Sequence, residues 1–120
     1  MARRKYDADG FDYDGYNIND KAGSTHLDGL IKQVKKLKAD IGIAYDGDAD
    51  RCLMVDENGE LVDGDQIMAI SSLALKEEDK LKNNTLVGTV MSNLGLVKFC
   101  EQNDIHFEAT KVGDRYVLEK

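Results

Sequence analysis

Proline is absent from the 120 residues, and cysteine occurs only twice, at Cys52 and Cys100. Without proline, the turns must depend on glycine, asparagine and aspartate. The two cysteines lack the close spacing of a metal-binding pair, which predicts reduced, mostly buried thiols rather than a disulfide framework. No apolar run is long enough to span a membrane, and none follows residues 1–5 as a signal peptide requires. These absences favour a cytoplasmic protein.

Positive charge is also scarce. The chain has 16 Lys and Arg against 23 Asp and Glu, for a net charge of -7. Binding to nucleic acid or to an anionic membrane surface requires clustered lysines and arginines that neutralise phosphates. The composition therefore predicts no nucleic-acid partner and no membrane partner.

The length suits one domain rather than two. Residues 1–14 are predicted to be a polar tail or loop, and residues 15–110 a single α/β domain. Residues 111–120 are predicted to begin a connection to a further domain, because the sequence ends where a helix starts.

Apolar spacing predicts alternating helices and strands. A first helix begins after Thr25, which forms a capping pair with Asp28, and a nearly all-apolar, buried helix covers 66–76. A third helix starts at a Ser92 cap. Strands are predicted at 41–45, 52–55, 60–62, 86–90 and 105–109. The order of elements predicts a mixed, partly parallel sheet covered by helices, with an Asn-Gly hairpin between the second and third strands.

The most informative feature is an acidic loop that directly follows the predicted strand 41–45, an apolar run expected to be buried. Asp46, Asp48 and Asp50 alternate there with small residues. Carboxylates this close repel one another and raise one another's pKa unless a cation neutralises them. Ligands that are all oxygen favour magnesium or calcium over zinc. A position beyond the carboxyl end of a strand also suits ligand binding in parallel α/β sheets.

Arg51 completes the acidic loop. A guanidinium beside a purely structural ion has no evident purpose, whereas a phosphate group can bridge a metal ion and an arginine. The pattern therefore predicts metal-assisted phosphoryl transfer.

Two other interpretations stay open. One is a stand-alone calcium module with an EF-like loop, since Asp46, Asp48, Asp50 and Glu57 fall at the first, third, fifth and twelfth positions of such a loop. Arg51, however, stands where that loop needs glycine. The other is a structural scaffold without chemistry.

Five segments resemble, in the same order, motifs of the α-D-phosphohexomutase family. They are residues 15–19 with 23–26, then 46–51, 63–68, 89–95 and 112–117. The last two are similar in particular to the branch of the family that acts on glucosamine phosphate. The resemblance implies an isomerase that interconverts glucosamine 6-phosphate and glucosamine 1-phosphate through a phosphoserine and a sugar bisphosphate. By this resemblance the chain is the second, metal-binding domain of that enzyme.

The resemblance also implies roles for particular residues. Asp46, Asp48 and Asp50 would hold Mg²⁺, and Arg51 would be a catalytic contact to the phosphoryl group. Substrate contacts would come from Gly113, Asp114 and Arg115.

Several parts of the family pattern are not recognisable in the sequence. They are the phosphoserine loop, the sugar-binding loop, the phosphate-binding domain and the opening strand of the second domain. The hexosamine phosphate is therefore expected to bind only the full enzyme, and the chain alone is expected to be inactive. A missing opening strand would leave an exposed sheet edge, which favours self-association.

Overall fold

The chain forms two compact units, Met1–Gly64 and Asp65–Lys120, in a computed structural model that describes residues 27–120. Each unit has its own hydrophobic core. This division differs from the single domain predicted over 15–110, because no proline-rich or glycine-rich linker marks the boundary after Gly64. The predicted tail at 1–14 and the family-like segment at 15–26 lie outside the described residues.

The described part of the first unit is an antiparallel sheet with one helix against it. Helix α1 spans Asp28–Leu37, and strands β1 (Ile41–Tyr45), β2 (Cys52–Asp56) and β3 (Leu61–Val62) follow. The strand order is β1-β2-β3, with both pairs antiparallel. The predicted hairpin is confirmed, since Gly59 takes a left-handed φ of 80° in the turn between β2 and β3.

The core of the first unit lies between α1 and one face of the sheet. Leu30 and Val34 of α1 are buried against Ala44 and Val55 of the strands. The helix is amphipathic, because its lysines occupy the opposite side. Thr25 of the predicted capping pair lies outside the described residues.

The second face of β1 is exposed, which corrects the prediction of a buried strand. Gly42 and Ala44 are buried, whereas Ile41, Ile43 and Tyr45 are 52, 46 and 55% exposed. Successive side chains of a strand point to opposite faces, and α1 covers only one of them. An apolar run therefore did not distinguish a strand covered on both faces from one covered on a single face.

The second unit contains the parallel part of the fold. Helix α2 spans Gly64–Glu77 and, after a short 3₁₀ turn at Lys82–Asn84, is followed by β4 (Thr85–Thr89), α3 (Leu94–Gln102), β5 (His106–Thr110) and α4 (Asp114–Leu118). Strands β4 and β5 pair in parallel, joined through α3. The predicted mixed α/β class is confirmed, although the strands of the described residues form two sheets, one antiparallel and one parallel, rather than one.

Residues of several elements form the core of the second unit. Leu96, Cys100 and Ile105 are buried, and they contact partly buried apolar side chains of α2, α3 and both strands. Burial raises the pKa of the Cys100 thiol, and neither this cysteine nor Cys52 forms a disulfide, as the sequence predicts.

Helix α2 is more exposed than its apolar sequence predicts. Ser72 is its buried residue, whereas Ile70 and Leu75 are 63 and 42% exposed. Apolar residues occur all round the helix, but only the side that carries Met68 and Ala69 meets the core. Among residues 27–120, no helix combines the length and hydrophobicity that crossing a membrane requires.

The cap of α3 is Asn93 rather than the predicted Ser92. Asn93 Oδ1 accepts a hydrogen bond from the Leu96 N–H at 2.9 Å. Ser92 Oγ accepts the Thr89 N–H at 3.4 Å instead. Both residue types cap helices well, so their adjacency left the helix start uncertain by one position.

Replacing Gly42 by alanine is expected to destabilise the first unit. A Cβ at this position would lie 2.7 Å from Val34 Cγ2 and 2.9 Å from Leu30 Cδ1 in the packed core. Overpacking of this kind costs about 1–3 kcal/mol. Gly64→Ala is the matched control, because a Cβ there would have nothing within 4 Å. Urea unfolding followed by circular dichroism measures both, and equal stability of the two variants would contradict the packing of α1 on β1.

Candidate metal site

The acidic loop, residues 46–51, closes the antiparallel hairpin between β1 and β2. The Asp46 N–H donates to the Arg51 carbonyl at 3.3 Å, and the Ala49 N–H donates to the Asp46 carbonyl at 3.0 Å. Ala49 has a left-handed φ of 56°, a conformation that costs a non-glycine residue about 1–2 kcal/mol. The loop follows a strand as predicted, but among residues 27–120 that strand pairs only with β2, which is antiparallel, so the rule for parallel sheets gives the loop no support here.

Asp46 is the anchored carboxylate of the loop. Its side chain is 10% exposed, and its two oxygens face Arg51: Oδ1 accepts the backbone N–H at 3.3 Å, and Oδ2 lies 3.8 Å from Nε. Partial burial by itself raises the pKa of Asp46. Hydrogen bonds from the Arg51 backbone and the Asp50 side chain, together with the Arg51 charge, outweigh it and hold that pKa below its ordinary value.

Asp50 shows the opposite shift. Its pKa is raised above the ordinary value by the hydrogen bond to the Asp46 side chain and by the negative charge of Asp46. The two carboxylates therefore compete for one proton. A divalent cation relieves this kind of crowding, and carboxylate oxygens are the ligands that magnesium and calcium prefer. The donor chemistry of the loop thus fits such a cation.

The three predicted ligands are not assembled into one cluster. Across residues 27–120, no three His, Cys, Asp or Glu side chains converge closely enough to hold a metal ion. Asp46 is partly buried, whereas Asp48 and Asp50 are both exposed. The assignment of all three aspartates as metal ligands stays a prediction.

Arg51 presents its charge to solvent. Its side chain is 76% exposed, so the contact with Asp46 leaves most of the guanidinium accessible. An exposed arginine can bind a phosphate group through two parallel hydrogen bonds. The predicted catalytic contact of Arg51 to a phosphoryl group is not tested by the structure and stays a prediction.

The predicted substrate contacts lie in the second unit, at the start of α4. Gly113 precedes the helix with a φ of 136°, and Asp114 is its first residue. Arg115 is 80% exposed, and its Nε lies 2.8 Å from Glu119 Oε1. An exposed ion pair of this kind is weak, so an anionic ligand could displace it. The substrate roles of these residues stay predictions.

The segments after β4 and β5 lie at the same edge of the parallel pair. Thr89 and Thr110, the last residues of the two strands, are partners in the register, and the Val90 N–H donates to the Thr110 carbonyl at 2.9 Å. In α/β sheets this edge is where ligands bind. Gly113 follows β5 at this edge.

Asp65 is a residue of this edge that sequence reasoning gave no role. Its Oδ2 accepts the Asn93 N–H at 2.8 Å, and so it holds the loop between β4 and α3. The family-like segment 63–68 contains Asp65, but nothing in the sequence pairs it with a residue 28 positions away.

Glu108 of β5 contacts two basic side chains, one of which is Lys120. Glu108 lies 2.9 Å from His106 Nε2 and 3.1 Å from Lys120 Nζ. The hydrogen bond from His106, followed by that from Lys120 and its charge, lowers the pKa of Glu108. Because Lys120 lies two residues after the end of α4, the ion pair restrains the helix that carries Asp114 and Arg115.

Comparison with known proteins identifies the family. Residues 11–59 match the family model described as phosphoglucomutase/phosphomannomutase, alpha/beta/alpha domain II. Residues 63–120 match the model for domain III of the same family. The chain belongs to the phosphoglucomutase/phosphomannomutase family.

The relatives that it resembles carry a more specific name. Phosphoglucosamine mutases of Corynebacterium efficiens and Acetivibrio thermocellus are each 61% identical to it, over 105 and 106 residues, and that of Brevibacillus brevis is 57% identical over 106 residues. Each match covers 88% of this chain and 24% of the relative. The chain therefore spans about a quarter of the length of these enzymes.

The two family matches agree with the division into two units. They meet between residues 59 and 63, close to the boundary at Gly64. The second unit thus corresponds to domain III, whereas the sequence interpretation placed residues 63–110 in the second domain and the third domain beyond the chain. The acidic loop lies within the domain II match.

Asp46→Asn is expected to lower the pKa of Asp50 toward its ordinary value, because the main causes of its elevation are the hydrogen bond and charge of Asp46. Carboxyl chemical shifts followed by NMR across an acid titration measure this change. Asp48→Asn is the matched control, since Asp48 is not among the causes of the Asp50 shift. An unchanged Asp50 pKa in the Asp46 variant would contradict the contact.

Glu108→Gln is expected to speed amide hydrogen exchange in α4 at neutral pH. The Glu108 pKa is lower in the folded chain, so its stabilising effect is present above the ordinary glutamate pKa and is lost as pH falls through the lowered value. The difference between variant and parent should therefore vanish in acid. A difference that persists there would mean that Glu108 acts through packing rather than charge.

Proposed function

We propose that the chain is part of a phosphoglucosamine mutase and supplies the magnesium loop of that enzyme. The reaction interconverts glucosamine 6-phosphate and glucosamine 1-phosphate through a phosphoserine and a sugar bisphosphate, in cytoplasmic amino-sugar metabolism. The observation that carries the proposal is the geometry of the acidic loop, in which Asp46 is 10% exposed and faces Arg51 through both oxygens while the Arg51 side chain stays 76% exposed. The similarity to phosphoglucosamine mutases over 88% of the chain supports it.

The residues of the acidic loop would have different roles. Asp46, Asp48 and Asp50 would hold Mg²⁺. When bound, the cation would offset negative charge on the transferring phosphoryl group. Arg51 would contact the oxygens of that group and orient it. Asp46 keeps its charge readily because its pKa is low, which suits a metal ligand.

The second unit would supply part of the sugar-phosphate site. Gly113, Asp114 and Arg115 follow β5 at the carboxyl edge of the parallel pair. The Arg115 guanidinium would exchange its weak partner Glu119 for the hexosamine phosphate. Asp65 would act indirectly, by fixing the neighbouring loop through the Asn93 N–H.

The chain alone is expected to lack mutase activity. It spans about a quarter of the length of its relatives, and no phosphoserine segment is recognisable in its sequence. A coupled assay with glucosamine 6-phosphate is the direct measurement. Turnover by the isolated chain would overturn this expectation.

Titration with Mg²⁺ and Ca²⁺, followed by NMR amide shifts, tests the metal loop. We expect weak shifts confined to residues 46–51, and we expect Asp48→Asn to abolish them. Asp79→Asn is the matched control: it removes the same charge from an exposed turn whose left-handed φ of 56° asparagine tolerates. Loss of the shifts in both variants would indicate a general charge effect rather than a site.

The same titration separates the alternatives. Tight, calcium-selective binding that includes Glu57 would favour the EF-like module. The structure gives that module little support, because the loop is flanked by β1 and β2 where an EF-hand has helices. If no amide signal shifted, the interpretation as a structural scaffold without chemistry would be favoured.

A chimera tests the enzyme proposal itself. Residues 11–120 would replace the matching segment of the Corynebacterium efficiens enzyme, and we expect mutase activity to be retained. Asp48→Asn in the chimera should lower kcat by about a hundredfold or more, since a metal ion contributes several kcal/mol to such reactions. The Asp79→Asn chimera should stay active. Full activity of the Asp48 variant would refute the assigned role.

A further inference from the structure

The Asn-Gly pair of the turn between β2 and β3 has a reactivity that the metal loop does not use. Asn58 is the one asparagine of the 120 residues that is followed by glycine, and it is exposed. In such a pair the backbone nitrogen of the second residue can attack the side-chain amide of the first, because glycine has no side chain to obstruct the approach. Asn58 is therefore a candidate for spontaneous loss of its amide nitrogen.

The reaction is a ring closure followed by hydrolysis. The Gly59 nitrogen gives up its proton to the solvent and bonds to Asn58 Cγ, the Cγ–Nδ2 bond breaks, and the amide nitrogen leaves as ammonia. Water then opens the succinimide ring. Attack of water at Cγ gives aspartate, whereas attack at the main-chain carbonyl carbon gives isoaspartate, in which the backbone runs through Cβ and Cγ. Either product carries a new carboxylate.

The hydrogen bonds of the turn define its geometry. The Gly59 N–H donates to the Asp56 carbonyl at 3.0 Å, and the Asp56 N–H donates to the Glu60 carbonyl at 2.9 Å. Gly59 has a φ of 80°, whereas Asn58 does not have a positive φ. This combination is a type I turn over residues 56–59 whose last residue is a left-handed glycine, a common hairpin loop. Asn58 is then the third residue of the turn.

This geometry opposes the ring closure in two ways. The third residue of a type I turn has a ψ of about 0°, which places the next nitrogen beside its own backbone nitrogen and away from its Cβ. Closing the ring needs the Gly59 nitrogen on the side of Asn58 Cβ, so the peptide between them must rotate out of the turn. The Asp56 carbonyl must also release the Gly59 N–H before it can lose its proton. The closed turn thus protects Asn58.

The Asp56 side chain stabilises the closed turn. Its Oδ1 accepts the Asn58 N–H at 2.9 Å and the Glu60 N–H at 2.8 Å. An aspartate that accepts the N–H two residues on stabilises a turn in this way. The two bonds restrain the backbone on both sides of the Asn58–Gly59 peptide, which is the peptide that must rotate.

We propose that Asn58 is a deamidation site whose reaction is controlled by opening of the turn between β2 and β3, and that Asp56 is the residue that keeps this turn closed. The rate of the modification then depends on how often the turn opens locally rather than on unfolding of the whole unit. The proposal does not depend on the enzyme function, since it uses only the residues of the turn.

The isoaspartate product would disrupt the pairing of β3 with β2. Strand β3 has two residues, Leu61–Val62, which pair with Val55 and Met54. Isoaspartate adds one atom to the backbone of a loop whose length fixes this register. The added charge is exposed and screened by solvent, so the extra atom has the larger effect. The buried core residues of the first unit lie on α1, β1 and β2, and so these elements should stay packed.

Peptide mass spectrometry of the whole chain, incubated at mildly alkaline pH, measures the rate at Asn58 from the mass increase that accompanies conversion of an amide to an acid. We expect conversion to be about tenfold faster in urea, where the turn is open, than in the folded chain. Asp56→Ala should speed conversion in the folded chain by about fivefold, because it removes the acceptor of two N–H groups. Asp56→Asn is the matched control and should react at close to the parent rate, since its amide oxygen still accepts.

A second control separates opening of the turn from unfolding of the unit. Gly42→Ala is expected to destabilise the core but lies outside the turn, so it should accelerate conversion less than Asp56→Ala at an equal loss of stability. Equal acceleration by these two variants would overturn the proposal. So would equal rates in the folded chain and in urea, or an Asp56→Asn variant that reacts as fast as Asp56→Ala.

Amide hydrogen exchange of the isoaspartate product, separated by reversed-phase chromatography, tests the effect on β3. We expect the amide hydrogens of Leu61–Val62 to exchange faster than in the parent, whereas those of α1 should be unchanged. The Asn58→Asp variant is the matched control, because it carries the same charge on a backbone of normal length and should keep the pairing. Equal exchange in the isoaspartate product and in the Asn58→Asp variant would refute the effect of the extra backbone atom.

Discussion

The antiparallel register of β1 and β2 is the constraint on which the first unit depends. It sets Gly42 and Ala44 against α1 and turns the three larger side chains of β1 away from it. It also brings Asp46 opposite Arg51, which closes the acidic loop. A slip of one residue would exchange the two faces, placing Ile43 where Gly42 now meets Val34 with no room for a side chain. Core packing and loop closure therefore enforce the same pairing.

The acidic loop destabilises the hairpin of β1 and β2, and the remaining residues of the hairpin compensate for it. Ala49 adopts a left-handed conformation, and the negative charge of Asp46 makes the ionised form of Asp50 less favourable. Arg51 compensates part of this cost, yet it is too exposed to remove it. Unfavourable conformations and crowded charges of this kind concentrate at functional sites, where a ligand relieves them. The backbone and the charges of this loop thus have features typical of functional sites, in agreement with the metal loop that we propose.

Local patterns predicted those features that depend on local interactions. Residues close together in sequence determine the alternating aspartates, the Asn-Gly turn and the amphipathic α1. The expected strands and helices were found close to their predicted places. The exposure of α2 could not be predicted in this way. Hydrophobicity is a property of a single residue, whereas burial depends on which residues pack around it. Ile70 and Leu75 are apolar, but no described core surrounds them.

The antiparallel setting of the acidic loop and the boundary at Gly64 were missed for a related reason. Both depend on which strands pair, and the apolar pattern of a strand does not identify the strand with which it pairs. Asp65 illustrates the same limit, since its hydrogen bond to Asn93 joins residues that only the fold brings together. The metal ligands could be proposed from sequence because they are neighbours in the chain. The way the loop folds could not be predicted: Asp46 is 10% exposed and faces Arg51, whereas Asp48 and Asp50 are exposed.

The small cores explain why the open surfaces of the chain matter. The described residues bury four apolar side chains in the first core and three in the second. Cores of this size supply only a few kcal/mol, so each unit gains comparatively much from any surface that covers its remaining apolar residues. In relatives about four times as long, such cover can come from the same chain. The apolar residues that the two cores leave exposed, Ile43 and Ile70 among them, are where further cover would stabilise the units most.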